Sequence, residues 1–254
     1  MGLRTELFKK FGLQPIGKPQ QRAYQGARMS RLTADWVTSG TSADSEIKSS
    51  FKALRNRARQ LCRDNDYARQ ALRVIQNNVI GHGIKHQGQV RMQRGGKLDD
   101  AINGRIHDAW QHWSNKKRCD VSGILGFHDL ERLVCRSLAE SGEVFIRMIR
   151  QPFGDSKIPF ALQLLESDYL VDDEVPQPAK GNTVRMGIEV DSYLRPQAYH
   201  FYSNHPGDTY AGNTRTNGRK LRIPADEIIH LFLPERPGQT RGVTWFASAL
   251  MRMH

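Results

Sequence analysis

Apolar residues recur at helical spacing through the first half of the chain and at strand spacing through the second. Leu3, Leu7, Phe8 and Phe11 share one side of a short amphipathic helix that Gly12 and Pro15 end, either a docking or membrane-surface peptide or a helix packed on its own protein. A polar stretch over 17–45, with Pro19 and a Thr-Ser-Gly-Thr-Ser tract, reads as a flexible arm. Ile47, Phe51, Leu54, Ala58 and Leu61 then step by four and three, which predicts a helix with Asp44 or Ser45 as its N-cap. Asp64-Asn65-Asp66 breaks that pattern with capping residue types. A second helix follows from Tyr67 through Ala68, Ala71, Leu72, Ile75 and Val79, and Gly81 and Gly83 stop it. A third spans 98–117 with Ile102, Ile106, Ala109, Trp110 and Trp113 inward, the two tryptophans as core anchors. Phe127, Leu130, Leu133, Val134 and Leu138 mark a fourth, closed near Gly142.

After Gly142 the period shortens to two. Strands are predicted over 144–149 and 160–165, over 183–190 and 197–202 around a turn at 191–196, and over 227–233 before Pro234. A Gly/Asn/Thr loop covers 204–218, 237–242 is a second loop, and a helix from Trp245 runs to residue 254. The fold class is therefore α+β: N-terminal helices followed by a mixed, mainly antiparallel β region, with 1–44 as a basic arm and 45–254 as the folded body. The last helix has no C-cap signal, so the sequence reads as an N-terminal fragment of something longer or as a short protein with a frayed end.

Charge changes the picture more than composition does. The 254 residues are 38% apolar with a mean hydropathy of −0.61, a net charge of +12 and a pI near 9.9. Residues 1–97 carry 19 Lys and Arg against 6 Asp and Glu, so the whole excess sits in the first two-fifths, an asymmetry that points to a polyanion. Lys48, Lys52, Arg55, Arg59 and Arg63 form a cationic column on the first long helix, with Arg69 beyond the break. Five like charges in one column repel unless something anionic lies alongside, either nucleic-acid phosphates or, on a solvated helix face, acidic neighbours. Cys62, Cys119 and Cys135 show no C-x-x-C spacing, which argues against a disulfide framework or structural zinc and for a reducing compartment. With no signal-peptide core and no apolar run near the roughly 20 residues that cross a bilayer, a soluble intracellular chain without membrane contact is expected.

Catalytic motifs are not found. G-x-S-x-G, H-E-x-x-H, the phosphate-binding P-loop and G-x-G-x-x-G are all missing, and Gly238-Gln-Thr-Arg-Gly242 lacks the spacing and lysine of a phosphate loop, so it reads as a turn. His82 and His86 lie four apart, but Gly81, Gly83 and Gly88 argue against the helix that would align them for a metal. Glu140, Glu143 and Asp172, the last heading the acidic run Asp172-Asp173-Glu174, are the set a magnesium-dependent nucleic-acid-processing enzyme would use. The plainer reading of Glu140 and Glu143 is that they satisfy turn amides and solvent.

Asn56-Arg57-Ala58-Arg59-x-Leu61-x-Arg63-Asp64-Asn65-Asp66-Tyr67-Ala68-Arg69-x-Ala71, followed by Asn77-Asn78-Val79-Ile80-Gly81-x-Gly83-Ile84, resembles the opening signature of the lambda-type tailed-phage portal proteins. The resemblance continues in order through Trp110-x-x-Trp113, Cys119-Asp120-x-x-Gly123, Phe127-x-x-Leu130, Ser141-Gly142-Glu143 and Leu162-Gln163-Leu164-Leu165-Glu166-x-Asp168. Gly187-Ile188-Glu189-x-Asp191, Ile223-Pro224-Ala225, Ile229-His230-x-Phe232 and Arg236-Pro237-Gly238-Gln239-x-Arg241-Gly242 complete it. It implies a non-enzymatic subunit without cofactors, similar to the portal wing region and ending before the stem, clip and crown. The resemblance further implies self-assembly into a ring, usually a dodecamer, at the capsid vertex of a virion assembled in the bacterial host cytoplasm. Double-stranded DNA would be packaged and ejected through the ring, with the terminase large subunit, capsid and head-tail completion proteins as partners. The motif residues would then be architectural, and Lys48, Lys52, Arg55, Arg59, Arg63 and Arg69 would face DNA or an adjacent subunit's acidic surface. A standalone sequence-independent DNA-binding module is the remaining alternative.

Overall fold

The computed structural model describes residues 24, 27, 30–172, 178–179, 181–208 and 219–253. Its contacts divide the chain into two units, 1–40 and 41–254. In the first, Ser30 and Thr33 hold a turn over 31–35, and Leu32, Trp36 and Val37 are exposed. The amphipathic segment expected around Leu3 to Phe11 lies outside the described residues.

The second unit opens with α1 (Ala43–Asp64), capped by Ser42, whose hydroxyl accepts the Ser45 N–H. The predicted cap, Asp44 or Ser45, lies inside the first turn instead. The Asp44 carboxylate accepts the Thr240 N–H at 2.8 Å and pairs with Arg185 at 3.2 Å. Asn65 alone makes the break, ending α1 through its N–H to Leu61 and starting α2 (Asp66–Val79) by accepting the Tyr67 and Ala68 N–H groups at 2.9 and 3.1 Å. Its amide also donates to the Met253 carbonyl at 3.0 Å. Asn65→Ala should therefore cost about 1–2 kcal/mol in urea unfolding, whereas Asn65→Asp keeps the cap but cannot donate to Met253 and should recover only part of that loss.

α3 (Asp100–Trp113) is capped by Asp99, within two residues of the predicted start, but ends four residues before the predicted Lys117, where the chain turns through a positive φ of 71°. α4 (Phe127–Ser141) ends in left-handed Gly142. β1 (Glu143–Ile149) pairs antiparallel with β2 (Ala161–Leu165) and, on its other side, with β7 (Ile228–Phe232), giving a three-stranded sheet in the order β2-β1-β7. The second sheet is β3 (Thr183–Arg185), β4 (Ile188–Val190), β5 (Pro196–Tyr202) and β6 (Lys220–Pro224), all antiparallel.

Three expectations change here. The single strand over 183–190 is a two-residue hairpin, because Met186 and Gly187 both take positive φ, 45° and 87°, the twist that suits a tight antiparallel turn. β6 was not predicted; it is five residues long, ends at a proline and sits on a sheet edge, where proline costs no ladder bond. The helix expected from Trp245 is a run of turns followed by the four-residue α5 (Leu250–Met253). There the Trp245 N–H bonds the Ala139 carbonyl and the Thr244 hydroxyl accepts the Phe246 N–H, tying that segment to α4.

Packing follows from these faces. Phe145, Leu165 and Ile228 of the first sheet meet Ile188, Val190, Tyr199, Phe201 and Ile223 of the second, with the Phe145 ring edge-on to Tyr199 and Phe201. On the other face of the first sheet, Leu162 and Leu164 pack with Trp110, Trp113, Phe127 and Leu130, and the Trp113 indole donates to the Phe160 carbonyl at 2.6 Å. Ala58, Leu61, Cys62, Leu72, Ala139, Phe246 and Leu250 join α1, α2, α4 and α5. All three cysteines are free and buried, and burial pushes the Cys62 and Cys119 thiols up to about 11. Among the described residues, no helix is long and apolar enough to cross a membrane.

Candidate functional site

The largest fully buried side chain among the described residues is an arginine. Arg241, in the loop after β7, is 0% exposed, and its partner Glu143, at the start of β1, is 1% exposed. The Arg241 guanidinium donates from Nε to both Glu143 oxygens at 2.9 and 3.0 Å and from Nη2 at 2.5 Å. Nη1 reaches the Met186 carbonyl at the β3–β4 turn, 2.8 Å away. Glu143 also accepts the Gly242 N–H at 3.0 Å and His230 Nε2 of β7 at 3.1 Å. Burial alone would push the Glu143 carboxyl up, but the adjacent Arg241 charge and the His230 hydrogen bond outweigh it and hold the group well below the usual carboxylate range. Burial pushes the His230 imidazole down, so the ring is neutral and Nε2 carries the donated proton.

Ser167, 2% exposed, extends the cluster toward α1. Its hydroxyl donates to Glu143 and accepts from Arg241 Nη2 at 3.0 Å and from Arg55 Nη1 at 2.7 Å, which uses its full hydrogen-bonding capacity. Arg55 continues to Asp168 Oδ1 at 2.8 Å, and Arg59 binds Asp168 Oδ2 at 2.6 Å and Glu166 at 3.2 Å. Burial would raise the Asp168 carboxyl; Arg55 and then Arg59 reverse that and lower it. The Phe51 ring lies under both the Arg55 and Arg241 guanidiniums, at 5.4 and 5.0 Å. Three guanidiniums thus face three carboxylates, and one element or loop after another is tied in: α1, β1, the turn after β2, the β3–β4 turn, β7 and the 237–242 loop.

This arrangement has no accessible chemistry. Ser167 beside Glu143 and His230 is not a nucleophile, since its proton goes to a carboxylate and its lone pairs to two arginines. Among the described residues, the trio whose ligand atoms converge as a metal would need is Glu166, Asp168 and His205, but Arg55 and Arg59 already occupy the two carboxylates and oppose a dication. The carboxylates named for a magnesium enzyme go separate ways: Glu143 to Arg241, Glu140 to Arg136 at 3.1 Å, and Asp172 to Lys52. Asp173 and Glu174 lie outside the described residues. His86 stacks on Trp110, centroids 5.6 Å apart, while His82 is exposed.

The predicted cationic column splits. Lys52, Arg55 and Arg59 turn toward Asp172, Asp168 and Glu166 of the same chain, and Arg55 is only 3% exposed. Arg63 pairs with its neighbour Asp64, Arg69 donates to the Arg63 carbonyl, and Lys48 is exposed with no ion pair among the described residues. Sequence reasoning missed Arg241 and Ser167, and it took Glu143 for a residue satisfying turn amides and solvent. Glu143 does accept one turn amide, from Gly242, but it is shut away from solvent. A signal was there: Arg59, Glu143, Asp168, His230 and Arg241 each sit in one of the motifs quoted above, and the structure gathers those separated motifs into one cluster.

The sequence pattern of the family described as phage portal protein, lambda family, matches residues 29–254. A protein of Halomonas phage phiHAP-1 named probable portal protein is 34% identical over 236 residues, which is 92% of this chain and 45% of that relative. The chain thus spans about half the length of the relative. With a match over most of its length, and a buried ion cluster in place of a reactive centre, the chain belongs to the lambda family of phage portal proteins, a structural and not an enzymatic family.

Proposed function

We propose that this chain serves as the wing-like part of a portal subunit. Copies of it assemble into a ring, a dodecamer, at the capsid vertex of the virion, joining head to tail. Double-stranded DNA is packaged through that ring by the terminase large subunit and later ejected, and capsid and head-tail completion proteins bind its outer surfaces. Assembly takes place in the host cytoplasm. Residues 45–254 form the wing-like body and 1–44 a basic arm. Lys48, Arg63 and Arg69 are the column members left to meet DNA or a neighbouring subunit.

The observation that carries this reading is the ion cluster in which Arg59, Glu143, Asp168 and Arg241, all from the family motifs, meet Arg55 and Ser167, with Arg55, Glu143, Ser167 and Arg241 buried, tying both sheets to α1. Such a cluster, with its buried polar groups satisfied, fixes the relative positions of the segments it joins. The test is mass photometry of the chain extended to the full length of the Halomonas phage relative. One closed ring mass is expected; a persistent monomer at micromolar concentration would count against the proposal.

A further inference from the structure

With Lys52, Arg55 and Arg59 matched by carboxylates of the same chain, the basic excess has to be located elsewhere. Between Asp66 and Asp99 there are six cations, Arg69, Arg73, Lys85, Arg91, Arg94 and Lys97, and not one carboxylate. All six are exposed. Among the described residues none of them forms an ion pair, so their charge is directed at solvent or at a partner.

Three of them sit on a small hairpin over 90–99. Arg91 pairs with Leu98 as an antiparallel bridge, the Met92 N–H reaches the Lys97 carbonyl at 3.2 Å, and the Asp99 N–H reaches Val90 at 2.9 Å. The tip turns at Gly95, φ 82°, where a Cβ would meet nothing within 4 Å, and Arg91 Nη1 braces it through the Gly96 carbonyl at 2.7 Å. Its base is fastened to α3: the Asn103 side chain accepts the Val90 N–H at 2.9 Å and donates to the Val90 carbonyl at 3.0 Å. A fixed base and a charged, open, glycine-lined tip leave the backbone free to approach a ligand closely.

We propose that this hairpin, through Arg91, Arg94 and Lys97, contacts the phosphates of duplex nucleic acid without reading sequence. A protein partner fits less well, because interface cores are built on aromatic and large aliphatic anchors, and the hairpin has no aromatic residue and exposes Met92 with only part of Val90 and Leu98. Single strands fit less well too, since there is no Phe, Tyr or Trp between Tyr67 and Trp110 on which bases could stack. Gln87, Gln89 and Gln93 supply further neutral donors beside the cations. The inference rests on the portal reading only in taking DNA as the polyanion at hand.

The test uses the 254-residue chain, a fluorescent 30-base-pair duplex of arbitrary sequence, and anisotropy titrations between 50 and 200 mM salt. The R91Q/R94Q/K97Q variant should bind about tenfold more weakly at 100 mM salt and lose about two to three from the slope of log K against log salt, near 0.9 per lost phosphate contact. R150Q/K157Q/R195Q, which removes three exposed cations outside the hairpin and outside α1, should stay within about twofold of the parent, and a single strand of equal length should bind the parent more weakly. The substituted side chains are exposed and only Arg91 braces the tip, through the Gly96 carbonyl, so circular dichroism should be unchanged and the melting temperature nearly so. Duplex affinity and slope equal to the parent's would overturn the proposal. So would no duplex binding by the parent, or a variant altered only in self-association, which would make the hairpin a protein contact. Rings that form from the extended chain while the variant still binds DNA normally would sink this inference alone. Monomers that lose DNA binding with the hairpin charges would sink the portal reading and leave this one standing.

Discussion

Arg241→Met is expected to destabilise the fold by about 3–5 kcal/mol at pH 7, because it leaves the buried Glu143 carboxylate with hydrogen-bond donors, His230, the Ser167 hydroxyl and the Gly242 amide, but without its paired charge. Against a usual total stability of about 5–15 kcal/mol, that is a large share of what holds the chain folded. The double variant R241M/E143Q should regain most of the loss, since replacing both members of a buried ion pair removes the unpaired charge along with its partner. Urea unfolding of the parent, the single and the double variant separates these outcomes. A single variant within 1 kcal/mol of the parent would mean that the cluster does not carry the junction. The same pair sets an acid limb. The folded Glu143 carboxyl titrates below its unfolded value near 4.5, so its contribution is present above that pH and is lost as pH falls through and below it. Asp168, lowered by Arg55 and Arg59, adds in the same direction. Parent stability should therefore fall steeply below about pH 4.5, and R241M/E143Q should flatten that fall.

Gly142→Ala and Gly242→Ala should each cost about 2–5 kcal/mol, combining left-handed strain at the first with backbone overlap at both. A Cβ on Gly142, φ 90°, would sit 2.2 Å from the Val243 carbonyl carbon, and one on Gly242 would sit 2.1 Å from the Gly142 oxygen. The two glycines let the start of β1 lie directly against the loop that delivers Arg241, so that Gly242 can donate to Glu143. Backbone atoms cannot swing aside as a side chain can. Gly95→Ala is the control: it has a similar φ of 82° but open space around it, and should lose only about 1–2 kcal/mol. Thermal melts of the three variants isolate the overlap from the strain, and equal shifts would remove the case for a backbone contact.

The helices were the most legible part of the chain, because their signals are local. The steps of three and four in α1, the Asp-Asn-Asp break, the Asp99 cap and Gly142 each act within a turn of where they stand. β1 and β2 were readable by alternation. The β3–β4 hairpin was not, since a methionine at positive φ carries no sequence mark, and β6 was hidden by its two cations and its terminal proline. Arg55 shows how near a local reading comes. It lies only about 40° around the helix from Phe51, on the edge of the apolar stripe, so its inward aim was within reach of helical phase alone.

What phase could not supply was the counter-charge. Asp168 and Ser167 stand 113 and 112 residues from Arg55, and Arg241 lies 98 from Glu143. By itself the sequence determined the fold class, the limits of α1 to α4 to within a few residues, the basic bias of the first two-fifths and, through its ordered motifs, the family. Only the tertiary structure decided which cations are spent inside the chain and which remain outside. An arginine is stable in a core only where other segments bring carboxylates to it, and that meeting is a property of the packed chain and not of any one stretch.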